Sequence, residues 1–244
     1  MSLSELWSLY GQNYIDALLA TWGMTLESFA IAMVLAVAVT VMRVSPLKPL
    51  RVFGDLYVQV FRNIPGIALL IIVVYALPPL KVVLPYRTCV IVATVLLGSA
   101  FGSENFMSGI NTVGVGQVEA ARSLGMSFNR ILAKIVTVGV GQVEAARSLG
   151  MSFNRILAKI VIPQALRSSV LPMTNLFIAV MLTTALGSQV PLKPQELTGV
   201  VSYINTRSLG GVAAFFISAL GYLGTAFVVS HIGNYIDKKV RILR

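Results

Sequence analysis

Glu144-Ala145-Ala146-Arg147-Ser148-Leu149-Gly150, followed after nine residues by Ile160-Val161-Ile162-Pro163, is a polar island in a very apolar chain. It reads as two short helices joined by a hinge. Glu144 stands where a first helical turn favours an anion, because the unpaired N–H groups there carry partial positive charge. Gly150 can adopt the left-handed conformation that closes such a helix. Phe153, Ile156, Leu157, Ile160 and Val161 then recur at helical spacing, with Asn154, Arg155 and Lys159 on the opposite face, so the second helix is amphipathic. Pro163 breaks or kinks the chain before the next apolar run. The segment is expected to be a docking element, resting an apolar stripe on the body of the protein and presenting a small Glu-Ala-Ala knob outward.

Working outward, hydrophobic residues make up 56% of the 244 positions and charged ones only 11%, about half the charged share of an average soluble domain. So few charges cannot cover a soluble core of this size, and the chain reads as an all-α integral membrane protein. The formal charge of +10 does not indicate a nucleic-acid partner, since the basic residues lie in loops between apolar runs and are not interleaved with aromatics. They suit the anionic surface of membrane lipid instead. The single cysteine, Cys89, lies in an apolar run and allows no intrachain disulfide. The first 17 residues lack a basic start and carry Glu5 and Asp16, so they are not read as a secretory signal.

Residues 1–16 form an amphipathic lead expected on the membrane surface, and 17–244 the transmembrane body. Spans are predicted at about Ala17–Met42, Leu56–Leu77, Arg87–Phe106, Ser169–Leu186 and Leu209–Ile236, each long enough to cross a bilayer. Ser188–Ser208, with Pro191, Pro194 and Glu196, is expected to be a re-entrant or surface helix. Fifteen basic residues fall on one side of this arrangement and four on the other. The richer side stays cytoplasmic. Five spans then place the N-terminus outside, the C-terminus inside and the long loop 107–167 in the cytoplasm. Ser218, Gly221 and Thr225 make a small-residue stripe on the last span, expected to pack within the chain.

The loop 107–167 carries an exact tandem repeat: residues 112–136 and 137–161 are identical over 25 positions. Two copies in one loop do not make a solenoid. They reflect a tandem duplication, in the gene or in the assembly of its sequence. The first copy contains Glu119-Ala120-Ala121 and Gly125, the second Glu144-Ala145-Ala146 and Gly150. Only the second runs on into Ile162-Pro163; the first passes into Thr137-Val138. One copy is expected to dock and the other to loop out.

The spacing Glu-Ala-Ala, three residues, Gly, nine residues, Ile, any residue, apolar residue, Pro resembles the signature loop of the permease subunits of ABC importers. Ile162 stands where that family usually has Leu. Arg62-Asn63-Ile64-Pro65 is similar to the Arg-Asn-Thr-Pro of its polar amino acid group, and Gln164-Ala165-Leu166-Arg167 continues that group's Pro-Gln-Ala-Leu-Arg run. Ser108 to Val113 and Gly116 to Gly125 look closest to actinobacterial glutamate permeases. The resemblance runs from Trp22 onward. It implies a five-span, MetI-like type I importer permease of the bacterial plasma membrane. It further implies an ABC ATPase dimer as partner, driving the Glu-Ala-Ala helices, with a second permease subunit, identical or sister, and an extracytoplasmic substrate-binding protein. The coupling residues would be Glu144, Ala145, Ala146 and Gly150, or Glu119, Ala120, Ala121 and Gly125 in the other copy.

No enzyme is legible in the chain. It has no Gly-x-x-x-x-Gly-Lys-Ser/Thr phosphate loop, so ATP hydrolysis belongs to a partner. Gly114-Val115-Gly116 and its copy fail the dinucleotide fingerprint, because Glu119 or Glu144 holds the third glycine position. His231, the sole histidine, has no cluster of ligands around it, so no catalytic residue, metal or cofactor is expected. Charges at membrane depth are expensive and point to function. For a substrate pathway these are Arg62 and Glu104, which match family positions and are expected to pair, with Asn175, Thr183 and Thr184 on the fourth span. Glu27 could face the pathway or the outer interface. Where the family often has Lys or Asp, this chain has Met181-Leu182. Other readings remain open at this point: a permease for another solute such as cystine, glutamine or a basic amino acid, a channel or secondary transporter outside the ABC class, or a lipid-binding membrane scaffold.

Overall fold

The computed structural model describes residues 2–45, 47–110, 169–207 and 211–240. Every regular element among them is helical: α1 (Leu3–Arg43), α2 (Lys48–Asn63), α3 (Gly66–Ile71), α4 (Tyr86–Ile110), α5 (Val170–Thr183), α6 (Leu197–Arg207) and α7 (Gly211–Val240). A π-helical stretch Ile72–Ala76 and a 3-10 turn Pro78–Leu80 prolong α3, and a 3-10 stretch Thr184–Gln189 prolongs α5. Among the described residues, four helices are long and apolar enough to cross a membrane, five if α2 and the α3 segment count as one broken span.

α1 begins at a capping box, in which Ser2 accepts from the Glu5 N–H and Glu5 reaches back to the Ser2 N–H. It continues without a break past residue 16. The N-terminal lead is thus one helix with the first span. Its Leu6 and Tyr14 are buried against Leu197, Val200 and Ile204 of α6 and Ala214 of α7, and the Tyr14 hydroxyl donates to the Ala214 carbonyl at 2.9 Å.

The stretch of the second predicted span, Leu56–Leu77, is bent and falls in two helical segments. The axis turns by 103° between α2 and the segment that follows. Pro65 is the cause. It has no N–H to continue the ladder, and its ring pushes the preceding residue out of the helical region. Ile64 accordingly sits at φ −82°, ψ 127°. The turn before α4 closes on Lys81, in the left-handed region at φ 63°.

α4 is the central helix, the most buried of the candidate spans. It runs parallel to α1: Glu27 meets Arg87 at one end and Arg43 meets Glu104 at the other, about 24–26 Å apart along the helices. Close approach between them is permitted by glycine. A Cβ at Gly102 would lie 2.9 Å from Ala36 Cβ, and one at Gly98 3.2 Å from Ala32 Cβ. α5 is antiparallel to α4, with Asn105 donating to the Pro172 carbonyl at 3.3 Å. It also meets α1 through an edge-on Phe29–Phe177 pair, centroids 5.0 Å apart. α7 closes the bundle. Ser218 and Thr225 are buried, and Gly221 abuts Leu197, so the small-residue stripe packs inside this chain. Phe215, Leu223 and Phe227 on the same helix are exposed, an apolar face suited to lipid.

Candidate functional site

A cluster of polar and charged groups lies where α1, α2 and α4 converge. Arg43 ends α1, where a cation complements the carbonyl end of the helix. Its side chain is 12% exposed. Nε donates to Asp55 Oδ1 at 2.8 Å, Nη2 contacts Glu104 Oε1 at 2.8 Å, and Nη1 donates to Ser103 Oγ at 3.3 Å. Thr40 Oγ1 lies 3.1 Å from the same Ser103 hydroxyl. Gly54 lets α2 come this close, since a Cβ there would sit 2.8 Å from Arg43 Cγ. Alongside, the Tyr57 and Ser99 hydroxyls are 2.7 Å apart. Ser99 donates to the Leu96 carbonyl, so Tyr57 is the donor of the pair.

Glu104 carries the chain of charges one step further. Its Oε2 is 3.4 Å from Nη1 of Arg62, in the last turn of α2. The expected Arg62–Glu104 pair therefore forms, but as the looser half of a shared carboxylate. The Arg62 guanidinium also lies over the Phe101 ring, 5.5 Å from its centroid. The four charges Asp55, Arg43, Glu104 and Arg62 balance, which is how ionised groups persist in an apolar setting.

Arg62 faces a cleft of about 540 Å³ between the α2–α3 bend, α4 and the end of α5. Gly66, Leu97 and Phe101 give it apolar walls, and Thr183 and Gln189 give it neutral polar ones. The cleft is open to one side, and its volume falls within the ~300–1,000 Å³ range of small-molecule sites. Of the predicted pathway residues, Arg62 and Thr183 line the cleft and Glu104 adjoins it. Thr184 is fully buried and its hydroxyl donates to the Met181 carbonyl. Asn175 is exposed nearer the other end of α5. Neither is part of the cleft lining. Glu27 accepts from Arg87 at 2.6 Å, both side chains being about half exposed. The coupling residues Glu119, Ala120, Ala121, Gly125, Glu144, Ala145, Ala146 and Gly150 lie outside the described residues.

A second polar site, not singled out from the sequence, is Glu196. It is fully buried and accepts from the N–H groups of Thr198 and Gly199, both at 2.6 Å. These are unpaired donors of the first turn of α6. The Tyr222 hydroxyl of α7 donates to it at 2.9 Å, and Thr21 of α1 accepts from the Leu197 N–H at 3.1 Å. Burial pushes the Glu196 carboxyl above its ordinary range, against these donors, which pull it down. The sequence signal was an acid directly before an amphipathic run. Neither Arg43 nor Asp55 was expected at the site; in the sequence Arg43 reads as a basic membrane-flank residue.

Comparison with known proteins places these features in context. A family model described as "Binding-protein-dependent transport system inner membrane component" matches residues 28–137 and 135–242, the two stretches meeting where the first copy of the repeat passes into the second. The chain is 29% identical over 233 residues to a glutamate transport system permease protein of Corynebacterium efficiens, covering 91% of each. It is 28% identical to an L-cystine transport system permease protein of Bacillus subtilis, covering 96% of this chain and 91% of the relative. A probable glutamine ABC transporter permease of Bacillus subtilis is 27% identical, over 98% of this chain and 96% of the relative. Among solved structures, an amino acid ABC transporter chain superposes with a TM-score of 0.75 at 21% identity, over 98% of this chain and 99% of that one.

Proposed function

The chain belongs to the family of binding-protein-dependent transport system inner membrane components, and from that premise we propose that it is the permease subunit of an ABC importer for a polar amino acid, multi-pass in the bacterial inner membrane. The observation that carries this is the family match, which runs from residue 28 to residue 242. The named relatives are permeases for glutamate, cystine and glutamine. The cleft beside Arg62 offers an amino acid a charged end, neutral polar groups and apolar walls.

The pathway runs through that cleft, bounded by Arg62, Glu104 and Thr183. Five crossings are supported by the parallel course of α1 and α4, because the chain between them must return to its starting side. The broken α2–α3 segment is the one that can do so. With the basic loop and tail inside, the repeat-bearing loop faces an ATPase dimer, and the Ser188–Ser208 excursion faces a binding protein. A second permease subunit completes the pathway. ATP-driven closure of the ATPase pushes the docking helices, and the spans follow as rigid bodies. Glu144, Ala145, Ala146 and Gly150 form the docking copy, because only that copy continues into Pro163.

The test is co-purification with a candidate ABC ATPase. The intact protein is compared with a version lacking 137–161 and with Glu144→Lys and Glu119→Lys singly. Binding that is lost in Glu144→Lys and kept in Glu119→Lys is the expected result. Loss in Glu119→Lys alone assigns docking to the first copy, and absence of binding in every version removes the importer reading.

A further inference from the structure

We propose that α2 lies in the plane of the membrane on its cytoplasmic side and binds anionic phospholipid there, with Phe53, Leu56 and Val60 among the acyl chains and Lys48 and Arg51 on the lipid phosphates. This rests on the orientation proposed above, which puts the end of α1 inside.

The course of α2 is the first observation. Asp55 and Arg62 stand about two helical turns, or 10 Å, apart, yet both join the same ion pair. Asp55 reaches Arg43 at 2.8 Å, Arg62 reaches Glu104 at 3.4 Å, and Arg43 and Glu104 meet at 2.8 Å. That pair marks one level of the parallel helices α1 and α4, and a helix descending beside them would have carried Arg62 away from it. α2 therefore crosses the ends of α1 and α4. Beyond the 103° turn, Leu69, Leu70 and Val73 join Met24 of α1 and Cys89 and Val90 of α4 in one apolar cluster. The segment after Pro65 is thus the part that returns across the bilayer.

The second observation is the three-sided pattern of α2. Gly54 and Val58 are buried against the bundle. Lys48, Arg51, Asp55, Gln59 and Arg62 recur three and four residues apart down one side, and Phe53, Leu56 and Val60 do so down another. The last three are 59%, 56% and 41% exposed. A helix with one apolar and one basic face is the form that lies at a membrane interface, its apolar side sunk to the boundary of headgroups and chains.

Charge decides what covers that face. Asp55, the only acid of α2, is engaged by Arg43. Lys48 and Arg51 are exposed and make no ion pair among the described residues. A second copy of the chain laid on this face through a two-fold axis would bring the same two cations back, whereas an anionic leaflet brings the opposite charge. Because α2 leads straight into Ile64 and Gly66, which wall the cleft, lipid that holds α2 in the plane also holds that wall.

The experiment uses the purified full-length chain with Cys89→Ser in vesicles, carrying bimane on a single cysteine at Phe53→Cys or Gln59→Cys. The Phe53→Cys label is expected to be quenched by chain-brominated lipid and not by iodide supplied on both sides, and the Gln59→Cys label the reverse. Brominated phosphatidylglycerol should quench the Phe53→Cys label in preference to brominated phosphatidylcholine. Lys48→Gln and Arg51→Gln should each lower that preference about fivefold, the usual effect of one basic residue at an anionic surface, and added salt should lower it too. Both glutamine variants should melt with the parent in neutral detergent, which separates lost lipid from lost fold. Quenching of the Phe53→Cys label by iodide overturns the proposal, as does its shielding from both quenchers, the result that a covering protein or second copy would give. Equal quenching by the two lipids, or a preference unchanged in both glutamine variants, overturns it as well. None of these readouts involves the ATPase, whereas failure of the permease reading is seen as loss of co-purification in every version.

Discussion

Glu104 is shared: Oε1 is 2.8 Å from Nη2 of Arg43 and Oε2 is 3.4 Å from Nη1 of Arg62. One carboxylate on the central helix thereby ties the end of α1 to the last turn of α2, just ahead of the Pro65 bend. The two arginines do different work. Arg43 is 12% exposed and also engages Asp55 and Ser103, so it anchors; Arg62 is 42% exposed, faces the cleft and is held loosely.

Arg43→Met should therefore destabilise the purified protein by about 1–3 kcal/mol, because charged acceptors lose their partner in a poorly hydrated place. Arg62→Met should cost less than about 1 kcal/mol, as expected for a more exposed pair. Thermal melts in detergent read the difference, and equal losses for the two variants would show that the charges are not divided in this way.

The parallel contact of α1 and α4 depends on missing side chains. At Gly102 an added Cβ meets Ala36 at 2.9 Å and Met33 Cε at 3.0 Å, and overpacking of this kind typically costs about 1–3 kcal/mol. Gly102→Val should lower the melting temperature by several degrees. Gly224→Ala, on a helix position with nothing within 4 Å, should leave it unchanged or slightly raised, as expected from helix propensity alone. A Gly102→Val protein that melts with the parent would mean that these helices are not in close contact.

What the sequence made legible follows the physics of each signal. Long apolar runs marked the helices α1, α4, α5 and α7, because hydropathy over some twenty residues has few other causes. Arg62, Glu104 and Thr183 were singled out because polar groups stand out in such runs. The bend at Pro65 was passed over, since the apolar composition of Leu56–Leu77 continues through a residue that redirects the backbone. Arg43 and Asp55 look like loop charges until α2 folds back against the end of α1. Glu196 was invisible as a buried acid, because its burial comes from α7 and the turn after α5, which are distant or unremarkable in sequence. The 25-residue repeat was plain in the sequence, but it lies outside the described residues.

Glu196 supplies a pH signature. Burial raises its carboxyl pKa above the ordinary 4.5, so the folded protein holds the proton more tightly than the unfolded chain does. The stability this confers is fully present below the unfolded pKa and is lost as pH rises through the folded one. Glu196→Gln stays neutral throughout and should lose less stability than the parent as pH is raised from about 4 to 8, though it begins lower because one oxygen acceptor is gone. Glu196→Ala should be destabilised at all pH values by about 1–2 kcal/mol, the usual penalty for losing a helix cap. Parallel melting curves for parent and Glu196→Gln across that range would contradict the raised pKa.

The number of crossings decides where the termini lie, and this is the most direct check on the arrangement. Four crossings put both ends on one side of the membrane; five put them on opposite sides. α1 and α4 run parallel, with Glu27–Arg87 at one end and Arg43–Glu104 at the other, which requires an odd number of returns between them. With Cys89 replaced by Ser, a single cysteine at exposed Ser4 should react with a membrane-impermeant maleimide on intact cells. One at Lys238, near the end of α7, should react only after permeabilisation. Labelling of both from outside would mean that the bent α2–α3 segment does not cross and that α1 and α4 do not traverse the membrane in parallel. Labelling of Lys238→Cys alone would invert the orientation and place the repeat-bearing loop out of reach of any cytoplasmic ATPase.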